Sequence, residues 1–301
     1  MRSMADSLPG AMQPIICCLG ERVAGKATQF LWERAIAVNE LDWRAITIQL
    51  AANDLPIALA GMKVMRFMGL HFFPSLQVGA AQQIATDHEL LQFVGRITSA
   101  AWGTQSWQAW HNWGGAILAW AAQLPEWDTA VCWLHGDSVR CRSLCAALLD
   151  DVAQKPTAQR SGVGMTAAAP RTVMWSEPPD KLPAQLAQGT QVELVLLDTP
   201  EQGLDHLRTI AAASRLPSLL LVGEQFPSME KCDLSSAASH CLVAGSEEGC
   251  RQAALWAHIS LRVLPEVEQI MACEAYDFER WTGHHIATHL LRDAYEEYNG
   301  F

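Results

Sequence analysis

The chain has 301 residues and a net charge of −11, and 50% of its residues are hydrophobic while 18% are charged. This length predicts two domains rather than a single core, and the apolar content is sufficient for well-packed interiors. The negative charge would repel phosphate backbones, which argues against a nucleic-acid-binding protein. No run of about 18 uncharged apolar residues occurs, so we expect neither a transmembrane helix nor a membrane partner.

The start of the chain and its cysteines both favour a cytoplasmic protein. Residues 1–13 lack the basic and apolar regions of a signal peptide and are predicted to be a disordered lead. The nine cysteines are odd in number and include no CxxC pair, so we expect reduced, mostly buried thiols.

The first domain is predicted to alternate strands with helices. Ile15–Leu19 is a short apolar run typical of a buried strand, and Thr28–Val38 has helical spacing. Trp43–Leu50 and Leu70–Phe73 favour two further strands, with a helix between them that begins near Pro56. This β-α-β-α-β order predicts an α/β domain with mostly parallel strands.

A tryptophan-rich segment follows a predicted helix at Ala81–Phe93. The segment carries Trp102, Trp107, Trp110, Trp113, Trp120, Trp127 and Trp133. Because indole rings bury a large area at low entropic cost, we interpret the segment as a connector that packs between domains. An aromatic-lined pocket or a partner surface is the alternative interpretation.

The second domain is predicted to open with a strand, a turn and a helix, as nucleotide-binding domains do. The strand is Thr129–Leu134, and the helix that follows the turn reaches about Ala153, before a polar loop at 154–170. Three more strands are predicted, at Arg171–Trp175, Val192–Leu197 and Ser218–Val222. Their alternation with helical stretches predicts a doubly wound α/β domain, and from Glu247 we expect mainly helices.

Two segments resemble the family of shikimate and quinate dehydrogenases. They are residues 20–43, GERVAGKATQFLWERAIAVNELDW, and residues 278–283, FERWTG. The resemblance implies a two-domain α/β fold in which a substrate domain, residues 14–112, precedes a Rossmann-like domain that holds NADP, residues 113–245. It also implies that C-terminal helices, within residues 246–301, return to the N-terminal domain.

The resemblance assigns substrate-binding positions. The family holds the carboxylate of its substrate with two serines in the first loop, and these positions fall on Lys26 and Thr28. A tyrosine and a glutamine of the family correspond to Gln225 and Cys273. The resemblance therefore implies a small anionic ligand in the interdomain cleft. Lys26 can pair with a carboxylate, while a solvated loop lysine is the alternative interpretation.

The proton-transfer residues of the family are replaced in this chain. Gln77 stands at the position of the acid/base lysine, and Trp113 stands at the position of its aspartate partner. Neither side chain exchanges a proton near neutral pH, so the family's proton-transfer unit is predicted to be lost. His71, at the position of a substrate-binding asparagine, is the remaining acid/base candidate; a structural hydrogen-bond partner is the alternative.

The cofactor-binding positions of the family are also altered. They fall on Gly136, Ser138, Arg140, Ser176 and Thr199. A dinucleotide loop needs glycines that let backbone N–H groups reach the pyrophosphate, and this loop retains one. Glu177 places a negative charge where the 2′-phosphate of NADP needs a positive one. NADP is the cofactor that the resemblance implies, and these residues predict a weakened site for it.

One pair of histidines stands outside the resemblance. His285 and His289 are four residues apart, a spacing that can bind a metal ion, but no HExxH motif accompanies them. We interpret them as part of a polar helix face and predict no metal site.

Three hypotheses follow for the function. The first is a non-catalytic or repurposed relative of shikimate dehydrogenases that binds a ligand in the interdomain cleft. The second is an active NADP-dependent oxidoreductase of shikimate or a related hydroxy acid, with His71 or Lys26 in new roles. The third is a structural or complex-forming protein, able to oligomerise, whose interface is the tryptophan-rich segment. The joint replacement of proton-transfer and cofactor residues favours the first.

Overall fold

The computed structural model describes residues 13–84, 88–124, 130–154, 171–184, 192–213, 218–226, 234, 237–254 and 261–300. Residues 1–12 of the predicted lead, Trp127, Thr129, Cys232 and residues 155–170 of the predicted loop lie outside these ranges. Residue contacts divide the chain into two compact units. The first unit comprises Met1–Asn112 and Ile270–Phe301, and the second comprises Trp113–Gln269.

Both units contain strands and helices, which confirms the predicted α/β class. The strands are β1 (Ile15–Gly20), β2 (Arg44–Gln49), β3 (Gly69–Phe72), β4 (Ser99–Trp102), β5 (Trp107–Trp110), β6 (Ala130–His135), β7 (Arg171–Ser176), β8 (Val192–Leu197), β9 (Ser218–Gly223), β10 (His240–Gly245) and β11 (Leu261–Val263). The helices are α1 (Thr28–Val38), α2 (Leu55–Val64), α3 (Gln77–Ile84), α4 (Glu89–Val94), α5 (Asn112–Ala121), α6 (Val139–Gln154), α7 (Pro200–Ala213), α8 (Glu247–Ala254), α9 (Glu266–Thr282) and α10 (Thr288–Asn299). Within the described ranges, no helix is both long enough and apolar enough to cross a membrane.

The first unit has a five-stranded sheet with the order β2-β1-β3-β4-β5. The three predicted strands, β1, β2 and β3, pair in parallel. β4 and β5 are absent from the predicted elements, and they extend the sheet beside β3 as an antiparallel hairpin. Each has four residues, which is too short for an alternating pattern to stand out among the tryptophans.

The tryptophan-rich segment contains the boundary between the two units, which falls between Asn112 and Trp113. Its described tryptophans lie in regular elements: Trp102 in β4, Trp107 and Trp110 in β5, Trp113 and Trp120 in α5, and Trp133 in β6. Trp110, Trp113 and Trp133 are buried. These rings therefore contribute to the packing of strands and helices.

Strand β1 is buried on both faces. Ile16 and Cys18 join a core formed with α1, α9 and α10, whereas Cys17 and Leu19 join a second core formed with α2. A strand covered on both faces needs apolar residues at every position, which accounts for the run Ile15–Leu19. No disulfide links the described cysteines.

The second unit has a parallel six-stranded sheet with the order β11-β10-β9-β6-β7-β8. The chain moves outward from β6 to β8 and then returns to β9 beside β6, which confirms the predicted doubly wound arrangement. β10 and β11 are absent from the predicted elements. In the described part of the chain from Glu247 onward, helices α8, α9 and α10 predominate, as expected, and β11 adds a strand of three residues.

The helix predicted at Ala81–Phe93 is two helices, α3 and α4, and residues 85–87 lie outside the described ranges. His88 caps α4, because its Nδ1 accepts a hydrogen bond from the Leu91 backbone N–H at 3.4 Å. Gly95 ends α4 in a left-handed conformation, with φ of 74°. His88 therefore fixes the start of α4 and Gly95 fixes its end.

Candidate functional site

The polar centre of the first unit is Asp277, which lies fully buried in α9. Its Oδ1 accepts a hydrogen bond from Trp110 Nε1 at 2.7 Å. Its Oδ2 accepts hydrogen bonds from Ser99 Oγ at 2.5 Å and from Asn112 Nδ2 at 2.8 Å. His71 Nδ1 lies 3.5 Å from the same oxygen. These donors compensate the carboxylate for the water that it loses on burial.

The sheet register places three of these donors in one row. His71 in β3 is directly opposite Ser99 in β4, and Ser99 is directly opposite Trp110 in β5. Opposite residues on neighbouring strands project from the same face, so the side chains form a polar stripe across the sheet. Helix α9 sets Asp277 against this stripe. We call Asp277, His71, Ser99, Trp110 and Asn112 the Asp277 cluster.

A second acid, Glu274, lies one turn before Asp277 on the same side of α9. Its Oε1 accepts a hydrogen bond from Thr28 Oγ1 at 3.4 Å. Among the described residues, neither its Oε2 nor Trp32 Nε1 has a hydrogen-bond partner, and both atoms are buried. Burial raises the pKa of Glu274 to about 7, although the charge of His71 acts to lower it. Glu274 therefore exchanges its proton near neutral pH.

His71 also has an altered proton affinity. Burial acts to lower its pKa, but the hydrogen bond to Asp277 and the charges of Glu274 and Asp277 outweigh burial and raise the pKa. Trp32 and Phe73 flank the imidazole edge-on, with ring centroids 5.4 and 5.3 Å away. An imidazole that a carboxylate orients in this way is a candidate proton donor or acceptor. Its role in a reaction stays a prediction.

The two other predicted catalytic positions have structural contacts. Gln77 Nε2 donates a hydrogen bond to the Phe72 carbonyl at 3.1 Å, which joins the start of α3 to the end of β3. Trp113 belongs to the second unit, where its Nε1 donates to Gln269 Oε1 at 3.1 Å. The Arg140 guanidinium lies 5.9 Å from the centre of the Trp113 ring. Neither contact supplies a group that transfers a proton.

The predicted substrate-binding residues differ in burial and in hydrogen bonding. The Thr28 hydroxyl donates to Glu274, so a ligand carboxylate at Thr28 would meet a buried acid. Lys26 is exposed in the loop before α1. Cys273 is half-buried in α9, and Gln225 is exposed in the second unit. Of these four residues, Lys26 alone offers a positive charge.

The single glycine of the predicted dinucleotide loop forms a turn at the end of β6. Gly136 has φ of 80°, a conformation that glycine adopts without strain. Its N–H donates to the Ser176 carbonyl at 3.0 Å, and its own carbonyl accepts from Trp175 Nε1 at 3.1 Å. Both polar groups of this peptide segment are therefore bonded to β7 rather than turned toward a ligand.

The hydroxyl groups at the predicted cofactor positions are engaged within the second unit. Ser138 Oγ accepts from the Cys141 N–H at 3.2 Å at the start of α6. Ser176 is buried, and its Oγ accepts from Trp133 Nε1 at 2.8 Å. Thr199 Oγ1 accepts from the Gln202 N–H at 3.4 Å, where it caps α7. These hydroxyl groups therefore accept hydrogen bonds from backbone N–H groups at helix starts and from an indole N–H.

The charges near the ends of β6 and β7 do not suit a phosphate. Arg140, the predicted cofactor-binding cation, lies 3.4 Å from both Glu224 and Glu266. Asp137, in the turn after β6, lies 2.5 Å from Arg142. Glu177 follows β7 directly, as predicted. Carboxylates thus pair with the arginines that would otherwise contact an anion.

The central residues Asp277, Glu274 and Ser99 are absent from the predicted sites. One sequence pattern could have identified the two acids. They are three residues apart and lie between the apolar residues Met271 and Phe278, so all four share the buried side of α9. Buried acids on an apolar helix face need partners from other elements. Ser99 has no such signal, since its strand is short and the residue is common on surfaces. Among the described residues, no group of three or more His, Cys, Asp or Glu side chains could hold a metal ion.

Comparison with known proteins yields similarities of structure alone. No protein-family model matches the sequence, and no curated protein sequence matches it. The ligand-free 5-ketofructose reductase of Gluconobacter is similar with a TM-score of 0.60 and 14% identity, over 97% of this chain and 100% of that one. Shikimate 5-dehydrogenase from Listeria monocytogenes, solved with shikimate and NAD, is similar with a TM-score of 0.60 and 11% identity, over 93% and 96%. Shikimate 5-dehydrogenase from Thermus thermophilus, solved with NADP(H) and shikimate, is similar with a TM-score of 0.55 and 16% identity, over 95% and 100%.

These similarities show that the chain has the shikimate dehydrogenase fold over nearly its whole length. The fold-level expectation from residues 20–43 and 278–283 is thereby confirmed. Function depends on individual side chains rather than on the fold.

Proposed function

We propose that this chain is a repurposed, non-catalytic relative of shikimate dehydrogenases that acts in the cytoplasm and binds a small ligand without NADP-dependent hydride transfer. The observation that carries the proposal is the engagement of Arg140 by Glu224 and Glu266. A dinucleotide site needs free backbone donors and unpaired cations at the ends of its strands. Here the predicted cofactor hydroxyls have internal partners, and the arginine has acidic ones.

The ligand of the first unit is proposed to be small and anionic, with Lys26 as its cationic contact. Lys26 is exposed, and among the described residues no carboxylate forms an ion pair with it. The Thr28 hydroxyl is not proposed as a contact, because it donates to Glu274. A Lys26→Ala variant should therefore weaken binding of such an anion, while Thr28→Val should leave that binding nearly unchanged.

Restoring the two lost proton-transfer residues should not create a dehydrogenase. We expect the double variant Gln77→Lys with Trp113→Asp to show no NADP-dependent oxidation of shikimate above background, because the cofactor contacts remain engaged. The measurement is the absorbance of NADPH during incubation with shikimate and NADP, with circular dichroism to verify folding. Turnover by the folded double variant would overturn the proposal.

An active oxidoreductase that uses NADP, as the solved Thermus thermophilus enzyme binds it, is the second candidate. The observation in its favour is the proximity of His71 Nδ1 to Asp277 Oδ2, at 3.5 Å, which orients an imidazole able to transfer a proton. In that case the unmodified chain should oxidise a hydroxy acid, and His71→Gln should lower kcat by at least about 100-fold. The absence of turnover in the unmodified chain would eliminate this candidate.

A further inference from the structure

The surroundings of Glu274 contain few groups that can stabilise a negative charge. The titratable groups that act on it are Cys18 from β1, His71 from β3, and Asp277 from its own helix. Thr28 from α1 supplies one hydrogen bond, at 3.4 Å, and Trp32 of the same helix also faces it. An ionised Glu274 therefore has the Thr28 hydroxyl, the facing Trp32 indole N–H and one imidazole that it must share with Asp277.

Most of the nearby hydrogen-bond donors, and the imidazole of His71, contact Asp277 rather than Glu274. Ser99, Trp110 and Asn112 all donate to Asp277, and His71 Nδ1 lies 3.5 Å from its Oδ2. The other nearby titratable groups do not supply Glu274 with a positive charge. Burial lowers the pKa of His111 to about 4, so this residue is uncharged near neutrality, and Cys18 can contribute only a negative charge.

The same helix holds both acids against the sheet of the first unit. Glu274 and Asp277 face α1 and the polar stripe, while Phe278 and Trp281 fill the adjoining apolar core. Two ionised carboxylates one helical turn apart, with one imidazolium to share, leave an excess negative charge at a buried position. A proton on Glu274 removes that excess.

We propose that Glu274 acts as a pH-sensitive latch, which keeps α9 packed on the first unit's sheet while Glu274 is protonated and loosens that packing when the proton leaves. The latch does not depend on the proposed ligand or on NADP. It would link the first unit's stability to the pH of its surroundings.

The direction of the pH dependence follows from the two shifts. The pKa of Glu274 is raised from 4.5 to about 7, so the folded chain binds this proton more tightly than the unfolded chain does. Stability is therefore lost as the pH rises from about 4.5 through about 7. The pKa of His71 is also raised, so its stabilising charge is lost as the pH rises through its folded-state value. Both groups make the first unit less stable at alkaline pH.

Hydrogen exchange of the α9 amides tests the latch. With intrinsic exchange rates corrected for pH, protection of residues 270–282 should fall tenfold to a hundredfold between about pH 5.5 and pH 8.5 in the unmodified chain. Glu274→Gln should abolish most of this fall, because an amide keeps the shape of the side chain and cannot ionise. Glu279→Gln is the matched control, since Glu279 is on the same helix but exposed. This control should keep the pH dependence of the unmodified chain.

A second variant keeps the test decisive if Glu274→Gln does not fold. Thr28→Val removes the hydroxyl that lowers the pKa of Glu274, so it should move the loss of protection to higher pH. The latch would be refuted by α9 protection that is independent of pH in the unmodified chain. A Glu274→Gln variant with unaltered pH dependence would refute it equally, and neither result would bear on NADP binding.

Discussion

Replacement of Asp277 by alanine is expected to lower the free energy of unfolding of the first unit by about 4 kcal/mol. The substitution removes the acceptor that Ser99, Trp110 and Asn112 share, and it also removes the charge beside His71. Buried donors without an acceptor cost more than the same donors in water. The small side chain also leaves a cavity beneath α9.

Urea-induced unfolding followed by circular dichroism and tryptophan fluorescence measures this loss. Asp277→Asn should cost about half as much, because the amide keeps one acceptor and fills the same space. Asp293→Ala, an exposed aspartate of α10, is the control and should change stability by less than about 0.5 kcal/mol. An Asp277→Ala variant as stable as the Asp293→Ala control would show that the Asp277 cluster does not support the first unit.

The second large effect is expected at Gly114 in α5, within the second unit. A Cβ atom at this position would lie 2.2 Å from the Ser143 carbonyl oxygen and 2.7 Å from the Leu144 Cα in α6. The Gly114 N–H also donates to Ser143 Oγ at 2.9 Å, so the two backbones are held in close contact. Because the obstacle is backbone rather than a movable side chain, Gly114→Ala should destabilise the second unit by about 3 kcal/mol or more.

A matched helix glycine separates steric conflict from helix propensity. Gly61 in α2 has only the Met65 Cε within reach of an added Cβ, at 3.9 Å. Gly61→Ala should therefore stabilise its own unit by about 0.5–1 kcal/mol, since alanine favours the helix and restricts the unfolded chain. Thermal unfolding of both variants measures the contrast. Similar stability changes in both would mean that α5 and α6 are not in close backbone contact.

Much of the fold could be predicted because its buried strands are continuous apolar runs. Ile15–Leu19 in the first unit and Ser218–Val222 in the second are covered on both faces, so every position carries the signal. The strands that sequence reasoning missed are short or begin with polar residues, as in Leu261–Val263 and His240–Gly245. Their pairing depends on neighbouring strands, which local pattern does not reveal.

The candidate site could be predicted only in part. His71 could be predicted from the sequence because the resemblance aligns it with a functional position at the end of a strand. Asp277 could not be predicted as its partner. Asp277 lies on a helix 178 residues after Ser99, its hydrogen-bond donor, and the two come together only when the chain folds. The roles of Gln77 and Thr28 also required coordinates, since each donates to a group that the sequence does not single out.

The sequence and the structure together suggest a shift in where the polar groups of this fold are used. In the first unit, Asp277 and Glu274 hold α9 against the sheet, and in the second unit hydroxyls and arginines satisfy internal partners. Polar groups that are engaged in this way contribute to the stability and specificity of folding. This shift is consistent with the proposal of a repurposed, non-catalytic relative.

Calorimetric titration of the purified chain with NADP and with NAD tests the central claim most directly. The titrations should be made at low and at moderate salt, with and without shikimate, because cofactor binding depends on phosphate charge. We expect no detectable binding of either cofactor under any of these conditions. Micromolar binding of NADP would contradict the account, and it would show that the Gly136 turn and Arg140 still form a working cofactor site.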